Sequence, residues 1–100
     1  MKEGFTYILE CSDGSYYTGS TNNLELRLQQ HNDGFGSKYT ARRLPIKLLY
    51  YEKFARVDYA FYREKQIQGW NRKKKEALMN GADDLLPQLS KKEFESKKVK

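Results

Sequence analysis

Phe5-Thr6-Tyr7-Ile8-Leu9-Glu10-Cys11-Ser12-Asp13-Gly14-Ser15-Tyr16-Tyr17-Thr18-Gly19 decides the fold of this chain. Phe5 to Leu9 is β-branched and aromatic enough for a strand, Ser12-Asp13-Gly14-Ser15 is a strong turn signal, and Tyr16 to Gly19 resumes the strand. Register settles whether this hairpin can be a site. Side chains alternate along a strand, so Tyr7 and Tyr17 share a face only if paired positions sum to an even number. An odd loop, Cys11 to Ser15, sets Leu9 opposite Tyr17 and Tyr7 opposite Gly19; a two-residue turn on Asp13-Gly14 puts the phenols on opposite faces. Under the first register Gly19, lacking a side chain, permits a close approach to the strand in front of Tyr7.

Working outward, Asn22 followed three residues later by Glu25 has the form of a capping box, and opens a helix that Asp33-Gly34 closes. Leu24, Leu28 and His31 follow the spacing of a buried helical stripe, with Arg27 one turn before His31 at its edge. Both polar residues therefore lean towards the sheet. Taken singly, His31 reads as a satisfied core histidine and Arg27 as a surface residue with a packed stem.

Gly34 to Ser37 is a flexible link, continued by Lys38 to Pro45 as an exposed basic loop. Lys47 to Phe54 reads as a third strand whose apolar run suits burial on both faces. Asp58 can cap a helix running from Tyr59 to about Asn80, with Gly81 as its stop and Gly69 able to bend or split it. A helical wheel places Ala60, Ile67 and Leu78 in one arc and Glu64 inside it. A carboxylate on a buried face is expensive unless paired, protonated or bound to a cation. Asp83 to Leu89 offers a short helical turn, and Lys91 to Lys100 is expected to be mobile. The reading is one domain over 1–82 and a basic, partly disordered tail over 83–100.

Of 100 residues, 19 are Lys or Arg and 13 Asp or Glu, a formal charge of +6. The basic residues gather at Arg42-Arg43, at Arg72 to Lys75 and in the tail, and a polyanion is their natural partner. A solvated face is the bland account of the same clusters. No apolar run approaches the ~20 residues that span a bilayer, and no signal-peptide core follows Met1, so the expected location is the cytoplasm and no membrane partner is expected. The single cysteine, Cys11, excludes an internal disulfide and, without a CxxC, argues against zinc. No Ser-His-Asp or Cys-His arrangement and no phosphate-cradling Gly-rich loop is present.

Two tyrosines, an arginine, a histidine and a carboxylate in a basic protein suit phosphodiester hydrolysis. In their order and spacing they resemble the GIY-YIG nuclease superfamily, in particular its small stand-alone bacterial members. Tyr17-Thr18-Gly19 looks like the second signature triplet, and Tyr7 falls where the first ends, although Phe5-Thr6 replace its Gly and Ile. Arg27, His31, Asn32 and the loop into Lys38-Tyr39-Thr40 match the next motif, and Glu64 stands at the family's metal-binding glutamate. The resemblance covers about Phe5 to Met79.

It implies an α/β (α+β) fold in β-β-α-β-α order, a three-stranded antiparallel sheet flanked by helices. It also implies metal-dependent endonuclease activity. Glu64 would be the sole protein ligand of one Mg²⁺ or Mn²⁺ ion. Tyr7 would be the general base or water-orienting group, with Tyr17 positioning it. Arg27 would stabilise charge on the phosphate, and His31 would relay a proton or hold the phosphate. Gly19, Lys38, Tyr39, Arg42, Arg43, Arg72 and Lys73 would line the nucleic-acid surface; either Asn71 or Asn80 would fill the family's asparagine position. The expected substrate is DNA rather than RNA, as in a repair or recombination intermediate. The alternative is a nucleic-acid-binding module with this fold and little turnover; a partner-dependent subunit is a third reading.

Overall fold

The computed structural model describes residues 2–81 and 94–98. Its chain runs β1 (Gly4–Glu10), β2 (Tyr16–Thr21), α1 (Leu24–Asn32), α2 (Lys38–Ala41), β3 (Lys47–Phe54), α3 (Val57–Gln68), α4 (Arg72–Met79) and β4 (Phe94–Lys98). The sheet is ordered β2-β1-β3-β4 and every pairing is antiparallel. The α+β architecture and the first three strands match the expectation, and β3 has the expected bounds. A fourth strand, Phe94–Lys98, pairs with β3 where a mobile segment was expected. The helical turn expected at 83–89 and the cap at Ser90 lie outside the described residues.

The hairpin takes the odd loop. Cys11 N donates to Ser15 O at 2.8 Å and Gly14 N to Cys11 O at 2.9 Å, while Asp13 Oδ1 accepts from Ser15 N. Leu9 accordingly pairs with Tyr17 and Tyr7 with Gly19. Thr6 and Ile8 face α3 and α4: Thr6 Oγ1 donates to Ala60 O at 2.7 Å, and Ile8 joins Tyr50, Ile67, Leu78 and Met79 in the main core. Tyr7 faces α1 instead, against His31. Helices thus cover both faces of β1, which is why its residues Thr6 to Leu9 are all buried.

The helices differ from the sequence reading at the cap of α1, in the basic loop and at the start of α3, and the split allowed at Gly69 occurs. The cap of α1 is Asn23, not Asn22; its side chain accepts from Leu26 N at 3.1 Å, while Thr21 Oγ1 accepts from Asn23 N and fixes the entry. The basic loop contains α2, one turn capped by Ser37. The long helix is split, with Gly69 ending α3 and Asn71 capping α4 through a bond from Lys74 N at 2.8 Å. Asp58 is not a cap: Arg56 occupies that position without a side-chain bond, and Asp58 lies in the first turn and pairs with Arg56.

The buried charge is also placed differently. On α3 alone the inner face is Ala60, Arg63 and Ile67, all buried, and Glu64 lies at its flank with a 13% exposed side chain. The fully buried carboxylate belongs to Glu52 on β3, which accepts from Arg63 Nε at 2.7 Å, Arg63 Nη2 at 3.0 Å and Tyr50 Oη at 2.7 Å. Charges buried this deeply persist only when paired and fully hydrogen-bonded.

Candidate active site

β1 and β2 present Tyr7, Tyr17 and Gly19 on the face that α1 covers, and α1 brings His31 down between the two rings. Tyr7 Oη and His31 Nε2 are 2.9 Å apart, and the Tyr17 and His31 rings meet edge-on with centroids 5.4 Å apart. Two missing side chains make room. A Cβ at Gly19 would lie 2.6 Å from Tyr7 Cζ, so the Tyr7 ring lies across Gly19. A Cβ at Gly36 would overlap the His31 ring from the other side. Gly19 thus admits Tyr7 itself.

His31 is completely buried and sits in a chain of hydroxyls. Its Nδ1 is 2.9 Å from Thr40 Oγ1, which is 2.8 Å from Ser37 Oγ. Burial, and secondly the Arg27 guanidinium, push its pKa down to about 4, so the ring is neutral at neutral pH. Enclosed in this way, His31 touches Tyr7 rather than an open surface.

Tyr7 is 1% exposed, and burial raises its pKa to about 12. Arg27 opposes that rise through a hydrogen bond and its charge, while Tyr17 and Glu64 add to it. Arg27 Nη1 also donates to Gln30 Oε1 at 3.2 Å, which steadies the guanidinium along α1.

Glu64 arrives from the opposite face. By alternation Thr18 and Ser20 point towards α3, and Ser20 Oγ donates to Glu64 Oε1 at 2.5 Å. Gln68, one turn on, donates to Glu64 Oε2 at 2.6 Å and to Thr18 O at 3.3 Å. The site therefore straddles β2, the edge strand, with the phenols, His31 and Arg27 on one side and the carboxylate on the other. A surface cavity of about 440 Å³ lies elsewhere, lined by Phe5, Leu24, Leu28 and Tyr51.

The expected nucleic-acid residues divide into two groups. Lys38, Arg42 and Lys73 are exposed, and Tyr39, 38% exposed, stacks on Tyr17 with centroids 6.0 Å apart. Arg43 and Arg72 hold the hairpin turn. Arg43 bonds Asp13 Oδ2 at 3.1 Å and lies 3.8 Å over the Tyr39 ring, and Arg72 bonds Gly14 O at 2.7 Å and lies 3.9 Å over Tyr16. Of the two asparagine candidates, Asn71 is the cap of α4 and Asn80 its C-cap.

Sequence reasoning missed Ser20, Gln68, Thr40 and Ser37. Gln68 was findable, being one turn after Glu64 on the same helix. Ser20 follows from the register that places Tyr7 beside Gly19, since its neighbour must then face α3.

The chain matches the family model for the GIY-YIG catalytic domain over residues 3–77. It belongs to the GIY-YIG family. It is 43% identical over 91 residues to a UPF0213 protein of Bacillus cereus, covering 91% of this chain and 92% of the relative. A UPF0213 protein of Haloquadratum walsbyi is 42% identical over 81 residues, covering 81% and 91% respectively. The solution NMR structure of UPF0213 protein BH0048 from Bacillus halodurans is similar, with a TM-score of 0.52 and 36% identity over 88% of this chain and 97% of that one. The domain is that of a nuclease family, which implies a nucleic-acid substrate. Among the described residues no helix is long and apolar enough to cross a membrane.

GIY-YIG nucleases generally use a divalent metal. Among the described residues no three His, Cys, Asp or Glu side chains gather as a metal cage. Glu64 fits a different kind of site. A single carboxylate oriented by Ser20 and Gln68, with the exposed Lys65 Nζ 3.8 Å from its Oε2, suits a hard cation that completes its shell with water and phosphate oxygens.

Proposed function

We propose that this GIY-YIG protein is an endonuclease that hydrolyses phosphodiester bonds in DNA with one Mg²⁺ or Mn²⁺ ion. The observation that carries the reading is that the β1–β2 hairpin sets Tyr7, bonded to His31, and Tyr17 on one side of β2, with Glu64 held by Ser20 and Gln68 on the other side of the same strand. Glu64, oriented by Ser20 and Gln68, would hold the cation. When bound, the cation would neutralise charge developing on the phosphate and its leaving oxygen. Arg27 supplies positive charge beside Tyr7, so a phosphate paired with Arg27 lies next to that phenol.

Tyr7 orients the attacking water and takes its proton as its own moves on to His31. With its pKa raised to about 12, the phenol is protonated in the free protein and is not a standing base. Tyr17 holds His31 from the side and carries Tyr39. Lys38, Arg42 and Lys73 are free to contact backbone phosphates. A domain of this size with a basic surface suits recognition of DNA shape over sequence, such as a branched repair or recombination intermediate.

The test is incubation of the purified protein with branched and single-stranded DNA and RNA, in Mg²⁺ or EDTA. Metal-dependent cleavage lost in Glu64→Ala and Arg27→Ala supports the proposal. Salt-sensitive binding without cleavage on every substrate would replace it with a binding module.

A further inference from the structure

We infer that His31, Thr40 and Ser37 form a directional proton wire from the Tyr7 hydroxyl to solvent, in which Tyr7 sets the tautomer of His31 and Thr40 is a positioning residue that holds the ring by accepting its Nδ1 proton. The inference rests on the reading of Tyr7 as the group that receives a proton from the attacking water.

The direction follows from accounting for each buried hydrogen. Tyr7 is 1% exposed, so its hydroxyl proton needs a partner within the protein. Arg27 carries only donors and cannot take it. His31 Nε2, at 2.9 Å, can. The neutral ring then bears its proton on Nδ1, which faces Thr40 Oγ1 at 2.9 Å and donates to it.

Thr40 is fully buried, and its own proton has Ser37 Oγ at 2.8 Å, with Ser37 O a poorer acceptor at 3.4 Å. Ser37 Oγ also accepts from Thr40 N at 3.1 Å, and Ser37 is only partly buried, so its hydroxyl proton goes to water. The opposite arrangement would leave the buried Tyr7 proton without an acceptor. Gly36 presses on the His31 ring and Ser37 caps α2, so the wire's middle and exit are held by one loop.

The transfer balances without any electron change. As Tyr7 Oη gains a proton from the attacking water, its original O–H breaks and an N–H forms at His31 Nε2. The Nδ1–H passes to Thr40 Oγ1, the Thr40 proton passes to Ser37 Oγ, and the Ser37 proton leaves to a solvent water. One proton enters from the nucleophile and one leaves to bulk. Tyr7 ends as a neutral phenol, while His31 ends protonated on Nε2 with the two hydroxyls reversed, so the ring re-exchanges its proton with solvent and the hydroxyls turn back before the next turnover.

His31 is the single histidine of the chain, so ¹⁵N-histidine labelling gives one imidazole to read. Long-range ¹H–¹⁵N spectra of the free protein are expected to show the proton on Nδ1. Thr40→Val, which keeps shape and backbone but removes the hydroxyl, should leave the proton on Nδ1, because Tyr7 still occupies Nε2, but take away its acceptor and shift the Nδ1–H resonance, and Thr40→Ser should restore the wild-type resonance. On a branched DNA with Mg²⁺, kcat should fall by about 10²-fold in Thr40→Val with KM unchanged, and recover in Thr40→Ser. A wild-type ring protonated on Nε2 overturns the wire, whether or not the variant folds. So does a Thr40→Val protein with wild-type kcat. If the wild type cleaves nothing, the endonuclease reading fails, while the tautomer still decides the wire's direction.

Discussion

Acidification should remove a defined part of this protein's stability through His31. The native ring is held neutral with a pKa of about 4, against 6.5 for an ordinary histidine. Between these values the unfolded chain binds a proton that the native protein refuses, so stability falls as pH falls. The contribution is complete above about pH 6.5, is lost progressively down to about pH 4, and is constant below. A gap of about 2.5 pH units, at about 1.4 kcal/mol per unit, gives a loss of about 3 kcal/mol. Against a typical total of ~5–15 kcal/mol for a domain this is a large share.

Urea unfolding followed by the fluorescence of Trp70, the single tryptophan, measures it at half-unit steps from pH 7.5 to 4. Carboxylates titrate in part of the same window, so the diagnostic quantity is the difference between wild type and His31→Gln. Glutamine keeps one donor and one acceptor but cannot titrate, and the two proteins should converge by about 3 kcal/mol as pH drops. Parallel curves across that window would refute the claim that the ring is buried as a neutral group.

Arg63→Met should cost about 3–5 kcal/mol by stranding the Glu52 carboxylate, and adding Glu52→Gln should restore much of it; urea midpoints of the three variants check this. Gly19→Ala and Gly36→Ala should each destabilise by about 1–3 kcal/mol, the first by displacing Tyr7 and the second by displacing His31, with thermal melts as the readout. In single-turnover cleavage Arg27→Ala should lower the rate by about 10²–10³-fold, a loss that higher substrate concentration does not recover. Arg42→Ala and Lys73→Ala should each reduce the salt dependence of DNA binding by about one ion, whereas Arg43→Ala should chiefly loosen the hairpin turn, seen as faster amide exchange at 12–15.

The hairpin and its register were legible because Cys11 to Ser15 carries its own turn chemistry and alternation fixes the rest. β3 was legible as an apolar run between polar segments. The helix after it was read with Gly69 able to bend or split it, and the choice was not legible because Trp70-Asn71 looks as helical as its neighbours until Asn71 is seen accepting from Lys74 N. Glu64 was read inside the buried arc because it lies beside Ala60 and Ile67 on the wheel, but Arg63, on the other flank, takes the buried place. The spacing of Ala60, Arg63 and Ile67, together with a glutamate in an apolar strand, was the available sign of the Glu52–Arg63 pair. Pairing across the sheet depends on contacts distant in sequence, which is why β4 was not foreseen and why Thr40 passed for a loop residue.

β2 carries Tyr17, Gly19 and Ser20 of the candidate site and is also the margin of the sheet in the described residues. A bare strand margin invites a second chain to add itself, and this one is restrained by its own neighbours, with Gln68 occupying the Thr18 carbonyl and Glu64 the Ser20 hydroxyl. In the proposed endonuclease, the Gln68 side chain that orients Glu64 would also keep a backbone acceptor of this strand engaged. A substitution at Gln68 would therefore act twice, releasing the Thr18 carbonyl at the sheet's margin and loosening the Glu64 carboxylate.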